Sequence, residues 1–101
     1  MVSATWKAVE RKVAARLGGQ RVGCTGEATP DVETDWADIE IKHRAALPKW
    51  LTGAMEQAVR NCADGKLPLL VLHEKGRHDM LVVMRLSDFD DWHGGLEEIG
   101  R

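Results

Sequence analysis

Apolar positions near the start of the chain recur at spacings of three and four. Trp6, Val9, Val13 and Leu17 share one helical stripe, so residues 4–17 predict an amphipathic helix. Gly18-Gly19 supplies the stop, while Lys7, Arg11, Lys12 and Arg16 occupy much of the remaining surface. Glu10 stands almost alone there as an acid; its simplest reading is an exposed partner for Lys7 or Arg11. The period then changes. Residues 20–24 predict a short strand, 25–30 a loop bent at Gly26, 31–34 a second strand and 37–44 a third, with a tight turn at Asp35-Trp36. In the third strand the alternation puts Ile39 and Ile41 on one face and Asp38, Glu40 and Lys42 on the other.

Helical spacing returns after Pro48, which opens a helix at its first turn, where a missing N–H costs nothing. This helix is expected to run to about Ala63 and end at Asp64-Gly65. Trp50, Leu51, Ala54, Ala58 and Cys62 give it an apolar face rich in small residues, suited to close packing on a sheet. Residues 67–74 predict a buried strand, Lys75-Gly76-Arg77-His78 a turn, and 80–86 a partner strand. Ser87, with Asp90 three residues later, reads as the N-cap of a short last helix over 88–92. Gly94-Gly95 is expected to break it, leaving an acidic, loosely held tail over about 94–101. The expected fold is therefore α/β in the order α-β-β-β-α-β-β-α, one domain over 1–101. Its sheet is expected to be mixed, with an antiparallel hairpin and flanking helices.

Composition narrows this only a little. At 101 residues, 44% hydrophobic and 30% charged, the chain can bury one modest core and is not built like a disordered segment. The longest apolar run, 67–72, contains Pro68 and is far too short for a bilayer, and the first residues lack the apolar centre of a signal peptide. A cytoplasmic, reducing setting is expected. Cys24 and Cys62 have no CxxC spacing, so no zinc site is indicated; they read as buried free thiols, and nothing in the spacing calls for a disulfide. Net charge of −2 argues against a polyanionic partner until its distribution is considered. Residues 1–86 carry 13 Lys/Arg against 11 Asp/Glu, and residues 87–101 one against five, so a mildly basic body bears an acidic tail compatible with DNA binding.

The chemistry concentrates between residues 30 and 44. Hard carboxylate oxygens from Asp31 and Glu40 suit Mg²⁺, with Mn²⁺ as the alternative, and the Ile41 backbone carbonyl could complete the metal shell. Lys42, two residues beyond Glu40 on the same face, can reach a water or a phosphate. An antiparallel hairpin through Asp35-Trp36 would bring Asp31 to this face; in another register Asp38 would approach instead. The competing reading is an alternating, solvated strand face, with Asp38 pairing His43 or Arg44. His73-Glu74…His78 does not make a zinc-protease site, because the histidines are five apart and Gly76 puts them on a hairpin. Trp6 and Trp50 read as core, whereas Trp36, at a hairpin tip, suits a DNA wedge or a dimer contact.

The pattern Pro30-Asp31…Glu40-Ile41-Lys42 resembles the signature of the PD-(D/E)XK, or restriction-endonuclease-like, nuclease superfamily. The order of Glu10-Arg11, Gly18-Gly19, Arg21-Val22, Pro30-Asp31, Glu40-Ile41-Lys42, the Pro48 helix and the strand at 69–72 is most similar to its Holliday-junction-resolvase-like branch and small phage-type relatives. The likeness spans about residues 6–74, and the short gap from Asp31 to Glu40 departs from the family in requiring a tight hairpin. The resemblance implies a Mg²⁺-dependent endodeoxyribonuclease acting on branched DNA as a homodimer, without a membrane, in a bacterial or phage-infected cell. It implies Asp31 and Glu40 as metal ligands, Lys42 at the water, Glu10 completing the acidic cluster directly or through a water, and Gln57 as a further functional residue. Gln57 is otherwise an ordinary exposed helix residue. Arg11, His43, Arg44 and Lys49 would contact phosphates. The competing functions are a nicking or structure-specific nuclease of phage or mobile-element origin, a catalytically silent DNA-binding scaffold, and a protein-interaction module.

Overall fold

Helix α1, Trp6–Leu17, forms where the apolar stripe predicts it. Thr5 caps its start, accepting the Ala8 N–H at 3.1 Å, and the helix ends on Gly18, whose φ of 72° lets its N–H reach the Ala14 carbonyl. The computed structural model describes residues 5–23 and 28–99. Cys24 and the bend expected at Gly26 lie outside them. The chain packs as two compact units, Met1–Ala45 and Ala46–Arg101.

In the first unit α1 packs on β1, Gln20–Arg21, and β2, Val32–Glu33; β3, Asp38–Ile39, completes an antiparallel sheet in the order β1-β2-β3. The register sets Arg21 opposite Val32 and Val32 opposite Ile39. Val32 lies on the middle strand and is wholly buried, and with Ala14 it forms the buried apolar centre. Burial of a valine on this scale contributes about 2 kcal/mol. Gly19 lets α1 descend against β2, since a Cβ there would meet the Glu33 carbonyl and lie 2.6 Å from Thr34 Cγ2.

All three strands are shorter than their alternation suggests. Pro30 has no N–H to extend the ladder, and Ile41 donates its N–H to the Asp31 carboxylate instead of to a backbone partner. The alternation itself holds: Asp38, Glu40 and Lys42 are exposed while Ile39 and Ile41 are half-buried. Trp6, expected in the core, is 52% exposed, because its ring lies beneath two cations: Lys7 Nζ is 5.3 Å and Arg21 Cζ 5.4 Å from its centre.

In the second unit α2, Lys49–Arg60, starts directly after Pro48, whose carbonyl accepts from the Leu51 and Thr52 N–H groups. It ends before Ala63, because Asn61 closes it by donating its N–H to the Gln57 carbonyl at 3.0 Å. The strands β4, Leu70–His73, and β5, Met80–Val83, pair antiparallel around a turn in which Gly76 has φ 89° and Arg77 donates to the Glu74 carbonyl. The buried strand expected here is instead partly open, with Val71 53% and Val82 60% exposed on one face of a two-stranded sheet. Trp50, also expected in the core, is 63% exposed. Among the described residues all strand pairing within each unit is antiparallel, so the mixed sheet expected from the sequence is not formed there.

The last helix differs most from expectation. Helix α3, Leu86–Ile99, runs through Gly94-Gly95, and Ser87 sits inside it, because the Arg85 carbonyl accepts from Phe89 and its side chain holds Asp88 at 2.7 Å. Ring contacts of Phe89 with Trp92 and His93, at 5.9 and 5.8 Å, brace the turn before the glycines. A glycine costs a helix about 1 kcal/mol but does not forbid it. Cys62 is a free thiol, half-buried, donating to the Lys66 carbonyl. Among the described residues no helix is long and apolar enough to cross a membrane.

Candidate active site

The hairpin between β2 and β3 turns through Asp35-Trp36, closed by a 2.9 Å bond from the Thr34 N–H to the Ala37 carbonyl. The Thr34 hydroxyl oxygen also accepts from the Trp36 and Ala37 N–H groups at 3.1 and 2.8 Å. That side chain substitutes for the positive-φ residues a two-residue hairpin usually needs, and among the described residues only glycines have positive φ. The turn fixes Val32 against Ile39 and Glu33 against Asp38. Beyond Val32 the ladder leaves this register: the Asp31 N–H donates to the Ile39 carbonyl at 2.9 Å, which brings Asp31 beside the start of the Glu40-Ile41-Lys42 segment.

There the two carboxyl groups are joined by a side-chain hydrogen bond. The Ile41 N–H donates to Asp31 Oδ2 at 2.7 Å, so Asp31 lies across the base of the Glu40-Ile41-Lys42 segment. Asp38, facing Glu33 along the register, is not the acid that meets Glu40. Lys42 is exposed, and its charge acts on both Asp31 and Glu40.

The pair is electrostatically unequal. Asp31 is held below the ordinary carboxylate range by its bond with Glu40, then by the Ile41 N–H, with Lys42 and Arg21 adding to the effect. Glu40 is pushed up by the same bond and by the charge of Asp31, with Lys42 opposing. The two shifts run in opposite directions because the carboxyl groups share one place, so their titrations are linked.

Glu10 occupies a different position from the one its exposed reading requires. It is 6% exposed, and Arg21 donates Nε–H to its Oε1 at 2.8 Å. Among the described residues no three His, Cys, Asp or Glu side chains converge as a group able to hold a metal, so Glu10 does not join Asp31 and Glu40. The sequence carried no role for Arg21. The signal was available: an inward strand position filled by a cation, beside a helix with a single acid, calls for a pair.

Arg11, His43 and Arg44 are exposed in the same unit, Arg44 donating to the His43 carbonyl at 3.2 Å. Lys49 and Gln57 belong to α2 in the second unit and are exposed there. Trp36 is 44% exposed at the hairpin tip.

The donor set fits a hard divalent cation. Two adjacent, solvent-reachable carboxylates are what Mg²⁺ commonly takes from a protein, leaving its other positions to water and phosphate oxygens. No protein family, curated protein or solved structure matches the chain.

Proposed function

We propose that this chain is a metal-dependent DNA endonuclease with a restriction-endonuclease-like site, acting on branched DNA as a homodimer in the cytoplasm of a bacterial or phage-infected cell. The observation that carries this reading is the meeting of Asp31 and Glu40 across the hairpin with the Lys42 charge beside both. Asp31, Glu40 and the Ile41 carbonyl would hold Mg²⁺ or Mn²⁺, which supplies charge neutralisation at the scissile phosphate and acidifies water. The chain's own residues do the rest. Asp31 and Glu40 would both bind the metal as carboxylates. Lys42 holds the attacking water, and Arg11, His43 and Arg44 bind phosphates on either side of the cut.

A silent DNA-binding scaffold is the second reading, favoured by the structural use of Asp31, whose carboxylate also ends the strand ladder at Ile41. Cleavage of labelled four-way junction, flap, single-stranded and duplex DNA in Mg²⁺, Mn²⁺ or EDTA separates the two. The nuclease gives metal-dependent cuts that Lys42→Ala abolishes, paired symmetrically in the junction for a resolvase. Cuts confined to another substrate keep the nuclease and replace the resolvase by a nicking or structure-specific enzyme. Absence of all cutting, with wild type and Lys42→Ala binding DNA alike, refutes catalysis and favours the scaffold.

A further inference from the structure

Strand β5 pairs with β4 along one side, and among the described residues no strand pairs with its other side. Such an edge presents unpaired N–H and C=O groups, which proteins ordinarily guard with a lysine, a proline or a bulge. β5 carries none of these. Its residues, Met80-Leu81-Val82-Val83, are all apolar, and the first three are more than half exposed. The hairpin's other strand is entered from Pro68, which has no N–H, and α2 packs against it.

The sequence around this edge is self-complementary. Asp79 and Arg85 stand three residues either side of Val82 and are both exposed. In an antiparallel pair of β5 strands about a two-fold axis at Val82, Asp79 lies opposite the partner's Arg85. Leu81 then lies opposite the partner's Val83, and Met80 opposite the partner's Met84. A slip of one residue sets Asp79 against Met84 or Leu86 instead, so the charges select the register. Both ends can take a second bond. Asp79 accepts the Met80 N–H through Oδ1, and Arg85 uses Nε and Nη2 on Asp88 out of five N–H donors.

We propose that the open edge of β5 docks a second copy of this chain, extending the hairpin into a four-stranded antiparallel sheet with Asp79–Arg85 ion pairs at both ends. The charge pattern selects this occupant, because equal and opposite charges at equal distances from Val82 match only a strand with the same pattern running the other way. The pairing gives the homodimer proposed above its surface, and it rests on the strand edge and not on nuclease chemistry.

Sedimentation equilibrium of the full chain over a range of concentrations tests it. Wild type is expected to reach twice the mass of one chain. Val82→Lys sets two like charges face to face at the axis, and is expected to weaken association by roughly tenfold or more. Val71→Lys, on β4 opposite Val82 and on the same face, is expected to leave it unchanged. Asp79→Lys, outside the strand, is expected to weaken it by setting a lysine against Arg85, and decides alone if Val82→Lys loses its native circular dichroism.

A dimer that survives Val82→Lys, or Asp79→Lys where that variant decides, overturns the edge pairing and leaves the homodimer reading intact. A dimer that Val71→Lys dissociates as strongly as Val82→Lys also overturns it, in favour of stacking through the sheet face. Wild type that stays monomeric overturns this inference and the homodimer together, while DNA cleavage is still read separately.

Discussion

Gly19 and Gly53 make a matched test of where backbone space matters. At Gly19 a Cβ would enter the Glu33 carbonyl and lie 2.6 Å from Thr34 Cγ2, and the first of these is a backbone atom that cannot swing away. Gly19→Ala must therefore push α1 off β2 or distort the turn that sets the hairpin register. Overpacking of this kind costs about 1–3 kcal/mol. In a chain of this size that lowers Tm by roughly 5–20 °C. Gly53 lies within α2, is exposed, and would meet nothing within 4 Å. Gly53→Ala removes only the entropic cost of a helical glycine and is expected to stabilise by about 0.5–1 kcal/mol. Thermal melts followed by far-ultraviolet circular dichroism and by tryptophan fluorescence measure both, Trp6 and Trp36 lying in the first unit and Trp50 and Trp92 in the second. An unchanged Tm for Gly19→Ala would refute the close approach of α1 to β2, and with it the geometry that sets Asp31 against Glu40.

Other consequences concern the hairpin and its carboxyl pair. Thr34→Val keeps the shape of the side chain but removes the acceptor for two backbone N–H groups, and is expected to cost about 1–2 kcal/mol in a melt and to weaken Mn²⁺ binding by loosening the register. Because Glu40 is raised, its share of stability is present below the ordinary carboxylate range and lost as pH rises through its elevated value. Because Asp31 is lowered, its share is present above that range and lost as pH falls through its depressed value. The pair thus stabilises most between the two, with one proton, and Glu40→Gln is expected to flatten the loss of Tm on the alkaline side of that window. In the metal-site reading Mn²⁺ competes with protons for Glu40, so its affinity is expected to rise with pH as Glu40 ionises and then level off; a titration that shows no such rise would refute Glu40 as a ligand.

Much of this protein could be read from local chemistry. The helix over Trp6, Val9, Val13 and Leu17, the Gly18 stop, the turn at Asp35-Trp36, the opening of α2 at Pro48 and the alternation through Ile39 and Ile41 are all properties of neighbouring residues, and each appears where expected. The meeting of Asp31 with Glu40 follows from a tight turn plus a period of two, so its place was legible once the hairpin was assumed. Tertiary structure decided the rest. Strand length depended on partners: a proline without an N–H and an aspartate taking the Ile41 N–H end the ladder early. Helix α3 crosses Gly94-Gly95 because glycine weakens a helix without ending it. Trp6 is exposed beneath two cations, although its helical spacing matches a core position. Glu10 is the clearest case. Its place on α1 is written in the sequence, but its burial and its bond to Arg21, eleven residues away on β1, exist only when helix and sheet pack together. A charge's role is set by the partner that folding brings to it, and that partner is not determined by sequence spacing alone.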